Sequence, residues 1–442
     1  MKNERQLALQ ILLKVFGEGG YSNLVLSKML PIPKDQSQQK KNQFITALVY
    51  GVVERDITLE YLISQYSKKP ASKLDLEVAL ILKMGFYQLL YLDSVPDNAA
   101  VDESVKLCFF AKKSSAKGFV NGVLRSFVRD GKKLVIRERD DLKSLSIAYS
   151  CPLWLVRQWA EEYSYEEAKA LVKASIGRPP LMIRVNTQKT SAQELLETLQ
   201  KEGVQGTPSP YLENCLMLEH TGNLQQLNSF QQGEFYVQDL ASQCCAKLAG
   251  VKPGDRVFDL CAAPGGKSFT MAQYLQGEGE LVSFDLYPHK LQLIEKTAQK
   301  LGLNCISVQE QDACIYDPKL GTAQVVLCDV PCAGLGIIRR KPEIKYKSPE
   351  SFEDLPALQL EILENGARYV QTGGRLVYST CSVSRRENNQ VADEFLRRHP
   401  EFEPVMIPKE FENRGLVEGN QITFLPRYMD SDGFFTALFC KK

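Results

Sequence analysis

Apolar residues recur every three or four positions through the first 130 of the chain's 442 residues. Leu7, Ala8, Ile11, Leu12, Val15 and Phe16 form one such stripe, the spacing of a helix that buries one face. Gly17, Gly19 and Gly20 supply its stop. A long segment around 44–66 carries Ile45, Leu48, Val49, Val52 and Val53 on one face. Another, from about Leu74 to Leu92, carries Val78, Ile81, Leu82, Tyr87 and Leu90. Pro96-Asp97 marks a fresh helix start, and Gly118–Arg125 closes the series. Strand signals are scarce, so this part is expected to be an all-α bundle.

The pattern then changes. Residues 131–150 read as a connector, and a helical stretch runs from Pro152 to about Ile176. Pro179-Pro180 ends it, Leu181–Asn186 reads as a strand and Ser191–Glu202 as a helix, a small α+β piece. From about residue 234, short apolar runs alternate with amphipathic ones. Strands are expected at Arg256–Leu260, Leu281–Phe284, Cys305–Val308, Val325–Cys328 and Arg375–Tyr378. Helices are expected at Gly266–Leu275, Pro288–Leu301, Pro356–Val370 and Glu387–Arg397. Such alternation implies a parallel, doubly wound α/β sheet. Ile422–Phe424 and Phe434–Phe439 supply late strands at one sheet edge. The expected domains are 1–140, 141–233 and 234–442.

Charge sharpens this division. The net charge is +1, yet residues 1–150 hold 23 Lys+Arg against 16 Asp+Glu, and the remainder 31 against 37. Ten basic and two acidic residues lie between Lys106 and Arg139. A basic helical face suits phosphate contacts, which need charge and little sequence information. A solvated face, or a contact with the acidic half of the chain, is the plain alternative. The twelve cysteines include no CxxC pair and there are three histidines, so no metal site is expected. No run approaches the roughly 20 apolar residues of a membrane-spanning helix, and the N-terminus lacks a continuous apolar signal core. The expected location is the cytoplasm, with no membrane and no obligate protein partner.

In doubly wound sheets, ligands sit beyond the carboxyl ends of the strands. The first such end is Asp259-Leu260-Cys261-Ala262-Ala263-Pro264-Gly265-Gly266-Lys267, where small residues let a ligand approach the backbone. The second ends at Asp285, placed for a ribose diol. The third leads to Asp312, placed for an adenine amino group. The dinucleotide pattern GxGxxG is absent, and Cys261 stands where a phosphate-binding loop would carry its first glycine. A nucleoside without phosphates, such as S-adenosylmethionine, fits better than NAD, which leaves a nicotinamide-dependent oxidoreductase as a disfavoured reading.

Two further strand ends carry cysteines, in Asp329-Val330-Pro331-Cys332-Ala333-Gly334 and in Ser379-Thr380-Cys381-Ser382. Parallel strands put both on the cofactor side. Two thiols, an acid and a methyl donor suit methylation at carbon 5 of cytosine. A thiolate that adds to carbon 6 makes carbon 5 nucleophilic, and an acid near ring nitrogen 3 stabilises the charge that builds there. The residues alone leave open which cysteine attacks.

The Asp259–Lys267, Pro331-Cys332 and Ser379–Ser382 motifs, in this order, resemble the RNA (cytosine-5)-methyltransferases. The helical front end, with Gly118–Leu124, resembles the NusB fold. Together they resemble the RsmB/Sun/Fmu family of bacterial 16S ribosomal RNA (cytosine-5)-methyltransferases, along nearly the whole chain. The resemblance implies 16S ribosomal RNA, naked or in an assembling subunit, as substrate and S-adenosylmethionine as donor. It makes Cys381 the nucleophile and Cys332 the helper in product release, and places Asp329 near both base and cofactor. It assigns Cys261, Ala262, Ala263, Pro264, Gly265, Gly266, Lys267, Asp285 and Asp312 to the donor. It gives the loop holding Arg339, Arg340, Lys341 and Lys345 to the RNA. Ala333 departs from the serine many relatives have, and Lys341 stands where histidine is frequent. The competing reading is a non-catalytic RNA-binding or antitermination factor that uses the helical part.

Overall fold

The computed structural model describes residues 3–33 and 35–442. Its contacts form two compact units, Met1–Gly177 with Ile338–Lys347, and Arg178–Ile337 with Ser348–Lys442.

The first unit is built from helices Glu4–Glu18, Ser22–Met29, Gln36–Glu54, Asp56–Tyr66, Leu76–Tyr91, Asp97–Phe110, Lys117–Arg129, Asp141–Tyr149, Leu153–Glu162 and Tyr165–Ala174. The Asn3 side chain accepts the Gln6 N–H while the Gln6 side chain accepts that of Asn3, and Gly19 ends the first helix at φ +70°, the left-handed residue a helix end favours. Leu76–Tyr91 is the central helix, buried continuously from Val78 to Phe86. Within that run the Lys83 ammonium faces Asp56 and lies 2.9 Å from Glu60.

The expected single segment at 44–66 is two helices that bend at Arg55 (φ −104°, ψ 18°). The bend lets the second helix bury Thr58, Leu59, Leu62 and Ile63 on its own face. The expected connector also holds a helix, Asp141–Tyr149, capped by Asp140, which accepts the N–H groups of Leu142 and Lys143. Residues 141–177 pack in this first unit. Ile57 N–H donates to Ser150 Oγ at 2.9 Å, and Thr58 Oγ1 to the Ile147 carbonyl at 2.5 Å. The Gly177 N–H donates to Glu54 Oε1 at 2.6 Å. These bonds carry the unit past the boundary expected near residue 140.

The second unit holds two sheets. Strands β1 (Leu181–Val185), β2 (Gln205–Pro208), β3 (Cys215–Glu219) and β4 (Phe235–Val237) form an antiparallel sheet in the order β2-β3-β1-β4. The larger sheet contains β5 (Arg256–Asp259), β6 (Glu280–Asp285), β7 (Ile306–Glu310), β8 (Ala323–Asp329) and β9 (Val370–Thr380). It is completed by β10 (Phe402–Pro404), β11 (Leu416–Glu418), β12 (Gln421–Phe424) and β13 (Phe434–Lys441). Its order is β11-β12-β13-β9-β8-β5-β6-β7, with β10 on β13. Strands β5 to β9 are parallel and the late strands antiparallel. Helices Leu240–Leu248, Gly266–Tyr274 and Pro288–Leu301 bury their apolar stripes in one core cluster, and Leu355–Tyr369 and Asn389–Arg398 in the other. All five parallel strands therefore end along one edge, at Asp259, Asp285, Glu310, Asp329 and Thr380. Among the described residues no helix is long and apolar enough to cross a membrane.

Candidate active site

The turn after β5 is tied down by backbone bonds. Ala262 N–H donates to the Phe284 carbonyl at 2.8 Å, and Gly265 N–H to that of Ala262 at 2.7 Å. Gly265 sits at φ +101°, and a β-carbon there would meet the Phe269 ring at 2.4 Å, so backbone conformation and close packing both demand glycine. The Ala263–Pro264 peptide is cis, and Gly266 opens the next helix. The result is a narrow, side-chain-poor ledge.

Carboxylates flank the ledge. Asp285 is buried at the end of β6, where its Oδ1 accepts the Tyr287 N–H at 3.1 Å and lies 3.4 Å from Lys290 Nζ. Gln311 N–H donates to the Asp285 carbonyl at 3.2 Å, which sets Asp312 in the adjoining loop. There Asp312 Oδ1 accepts the Cys314 N–H at 2.9 Å. Asp259, at the end of β5, accepts Ser268 Oγ–H at 2.6 Å, and Ser283 Oγ lies 2.9 Å from Ser268 Oγ. Burial, reinforced by the Asp329 charge, pushes the Asp259 carboxyl up to about 7 against the Ser268 hydrogen bond. Acids at successive strand ends beside a glycine ledge offer acceptors for hydroxyl and amino groups. That donor set fits the nucleoside part of S-adenosylmethionine.

Asp329 ends β8 and is held on both oxygens. Oδ1 accepts Ser379 Oγ–H at 2.8 Å and Oδ2 accepts Lys267 Nζ at 2.7 Å. Lys267, expected only as part of the donor loop, thus reaches across to β8, and its ammonium lies 4.7 Å from the centre of the Phe434 ring. Burial is the largest single influence and disfavours that ammonium, but the charge and hydrogen bond of Asp329 together with smaller contributions from its other neighbours outweigh it and hold the Lys267 pKa above the usual lysine value.

The two strand-end cysteines converge, with Cys332 Sγ 3.2 Å from Cys381 Sγ. Their loops are laced by backbone bonds from Val330 N–H to the Ser379 carbonyl at 3.1 Å and from Gly336 N–H to the Cys381 carbonyl at 3.0 Å. The Cys332 pKa is pushed well up by its hydrogen bond with Cys381, by burial, by charge interaction with Cys381 and, to a smaller extent, by the charge of Glu387. Cys108, Cys151, Cys215, Cys244, Cys245 and Cys328 are buried, and burial raises all six.

One expected RNA contact is corrected. Lys345 is fully buried, with its Nζ donating to the Glu54 carbonyl at 2.9 Å. The segment Ile338–Lys347 belongs to the helical unit, and a buried ammonium cannot meet an RNA phosphate. Burial lowers its pKa to about 8. Lys341 on the same segment is exposed, and Arg339 and Arg340 are half-buried. Part of the basic helical face is also neutralised by neighbouring acids. Lys113 lies 2.7 Å from Asp75, Lys132 2.8 Å from Asp97 and Arg125 3.5 Å from Asp102.

Sequence reasoning missed Glu387, Gln359, Ser379 and the role of Asp259. Asp259 carried a readable signal, since it ends its strand as Asp285 and Asp329 end theirs. Glu387 and Gln359 carried none, because the Cys332 loop that both of them hold lies 54 and 28 residues away in the chain.

Three family descriptions match successive parts of the chain. They are the NusB family over residues 2–129, a ferredoxin-like domain of RsmF/B-like methyltransferases over 151–225, and 16S rRNA methyltransferase RsmB/F over 246–440. The probable ribosomal RNA small subunit methyltransferase B of Bacillus subtilis (strain 168) is 35% identical, over 99% of this chain and 98% of that protein. The ribosomal RNA small subunit methyltransferase B of Escherichia coli (strain K12) is 30% identical, over 100% and 99%. Among solved structures, that of PH0851 has a TM-score of 0.80 at 24% identity, covering 100% of this chain and 99% of that one. NSun6 from Pyrococcus horikoshii, solved with SFG, has a TM-score of 0.58 at 22% identity, covering 66% and 98%. Both likenesses concern the fold.

Proposed function

The chain belongs to the ribosomal RNA small subunit methyltransferase B family, and from that premise we propose that it methylates carbon 5 of a cytosine in 16S ribosomal RNA. S-adenosylmethionine is the methyl donor and supplies an electrophilic methyl group. The observation that carries the carbon 5 reading is the 3.2 Å approach of Cys332 and Cys381. Methylation at an exocyclic nitrogen or a ribose hydroxyl has no use for paired thiols; carbon 5 needs a nucleophile on carbon 6 and a means of removing it.

Cys381 is the nucleophile in this reading. The choice follows the family resemblance of the Ser379–Ser382 motif, and the raised pKa of Cys332 suits a thiol that keeps its proton for the later step. As its sulfur bonds to carbon 6, negative charge develops on the ring. The Lys267 ammonium offsets that charge from its place on Asp329, and Asp329 accepts from the cytosine amino group. After methyl transfer, solvent water takes the carbon 5 proton as the carbon–sulfur bond breaks and the ring double bond re-forms. Cys332 S–H then donates to the departing sulfur of Cys381. Cys261–Lys267, Asp285 and Asp312 hold the donor, with the first turn as ledge and the carboxylates as acceptors. Arg339, Arg340 and Lys341 are left as the RNA-facing cations of the 338–347 segment.

The test is a pair of substitutions. Cys381→Ala abolishes methylation, and Cys332→Ala accumulates a covalent protein–RNA adduct on a denaturing gel. An adduct with Cys381→Ala instead exchanges the two roles. Full methylation by both variants, read by bisulfite sequencing, removes the mechanism.

A further inference from the structure

Glu387 lies in the short stretch between β9 and the helix Asn389–Arg398, with 3% of its surface exposed. A carboxylate this buried is costly unless its oxygens are satisfied, and here they are satisfied by both cysteine loops at once. Oε1 accepts the N–H of Ala333, the residue after Cys332, at 2.8 Å. Oε2 accepts the hydroxyl of Ser382, the residue after Cys381. Gln359 Nε2 donates to the same Oε1 and to the Pro331 carbonyl, each at 2.9 Å, which ties the far side of the Cys332 loop to the same acid. Tyr378 OH, on β9, donates to the Glu387 backbone carbonyl. One carboxylate therefore spans the gap between two loops that are 49 residues apart in sequence yet bring their sulfurs to 3.2 Å.

We propose that Glu387 is a positioning residue that sets the spacing of the two thiols. Its charge is also one of the causes that raise the Cys332 thiol. The proposal rests on the two-cysteine reading of the site and adds to it the group that enforces the geometry. It acts without touching substrate, by holding the N–H after one cysteine and the hydroxyl after the other. The titratable groups that face Cys332 are Cys381, Glu387 and the Tyr378 phenol.

Two substitutions separate the two effects. Glu387→Asp keeps the charge but is one methylene shorter and cannot bridge Ala333 and Ser382 together. Glu387→Gln keeps the length and removes the charge. Full-length variants are compared for kcat and KM toward RNA, for S-adenosylmethionine affinity by calorimetry, and for the pH profile of Cys332 alkylation by iodoacetamide, read by peptide mass spectrometry.

Both variants are expected to lose about a hundredfold in kcat, the scale of a 1 Å misplacement, with KM and donor affinity close to the parent. Only Glu387→Gln is expected to bring Cys332 alkylation to lower pH. Ser382→Ala, which removes a single contact, gives a smaller fall in kcat and keeps the measurement possible if a Glu387 variant fails to fold. Parental kcat in both Glu387 variants overturns the proposal, as does an unmoved alkylation profile in Glu387→Gln. The alkylation result needs no turnover. Full methylation by Cys381→Ala would thus sink the reaction scheme, while the alkylation profile would still report on Glu387.

Discussion

Replacing Gly336 by alanine tests how tightly the two cysteine loops must fit. The new β-carbon would lie 1.9 Å from the Gly433 carbonyl oxygen, 2.5 Å from its carbon and 2.9 Å from the Cys381 carbonyl oxygen. All three atoms are backbone, so no flexible side chain can give way, and the chain must move by about 1 Å or more to restore ordinary contact. That movement strains two hydrogen bonds, Gly336 N–H to the Cys381 carbonyl at 3.0 Å and Gly433 N–H to the Gly336 carbonyl at 2.9 Å. Overpacking costs roughly 1–3 kcal/mol and each weakened bond up to about 1 kcal/mol, a loss of about 1–5 kcal/mol together. For a unit of this size, each kcal/mol lowers Tm by roughly 2–4 °C. The larger effect is on rate, because 1 Å of sulfur displacement corresponds to about a hundredfold. The assays are single-turnover methyl transfer and scanning calorimetry on the full chain. A Gly336→Ala protein with the parent's rate and Tm would refute the claim that this contact fixes the cysteine geometry.

Three other outcomes follow from the site. The Asp259 carboxyl, raised by burial to about 7, keeps a proton in the fold that the unfolded chain releases near pH 4. Its contribution to stability is present below that pH, is lost as pH rises to about 7 at no more than about 1.4 kcal/mol per unit, and is flat beyond. Asp259→Asn should flatten the profile and raise Tm at pH 8 relative to the parent, measured by thermal melts across pH. Lys267→Met should cost roughly 3–5 kcal/mol, because it leaves Asp329 without its cation, and should slow methyl transfer; denaturant titration and single-turnover rates check both. Lys341→Ala should reduce the salt dependence of RNA binding by roughly 0.7–0.9 in log–log slope, whereas Lys345→Met should leave it unchanged, as read by filter binding over a salt series.

The architecture was largely legible because its signals are local. Alternating apolar runs and amphipathic helices announce parallel strands, and parallel strands share one carboxyl edge, so Asp285, Asp329, Cys332 and Cys381 could be expected on one side before any coordinates. What stayed hidden depends on partners remote in the chain. Nothing near Lys345 reveals that its ammonium meets the Glu54 carbonyl, 291 residues away; four basic residues on one loop read as a solvent-facing patch. The bend at Arg55 escaped because both flanking helices keep a helical period and differ only in which face they bury. Glu387 escaped because a lone glutamate before a helix looks like an ordinary surface residue until the loops it bridges are folded.

The helical unit is completed by a piece of chain that arrives late. Glu343 accepts both the N–H and the hydroxyl of Ser22, at 2.9 Å for the N–H, at the first turn of a helix whose Tyr21 cap supplies no side-chain bond. Tyr346 packs against the same core. During synthesis the ribosome delivers these residues well after Gly177, a delay of roughly 8–30 s at ordinary elongation rates. Until then the nascent helical unit carries an open seam at Ser22 and Glu54, and a fragment cut at residue 177 would keep that seam permanently.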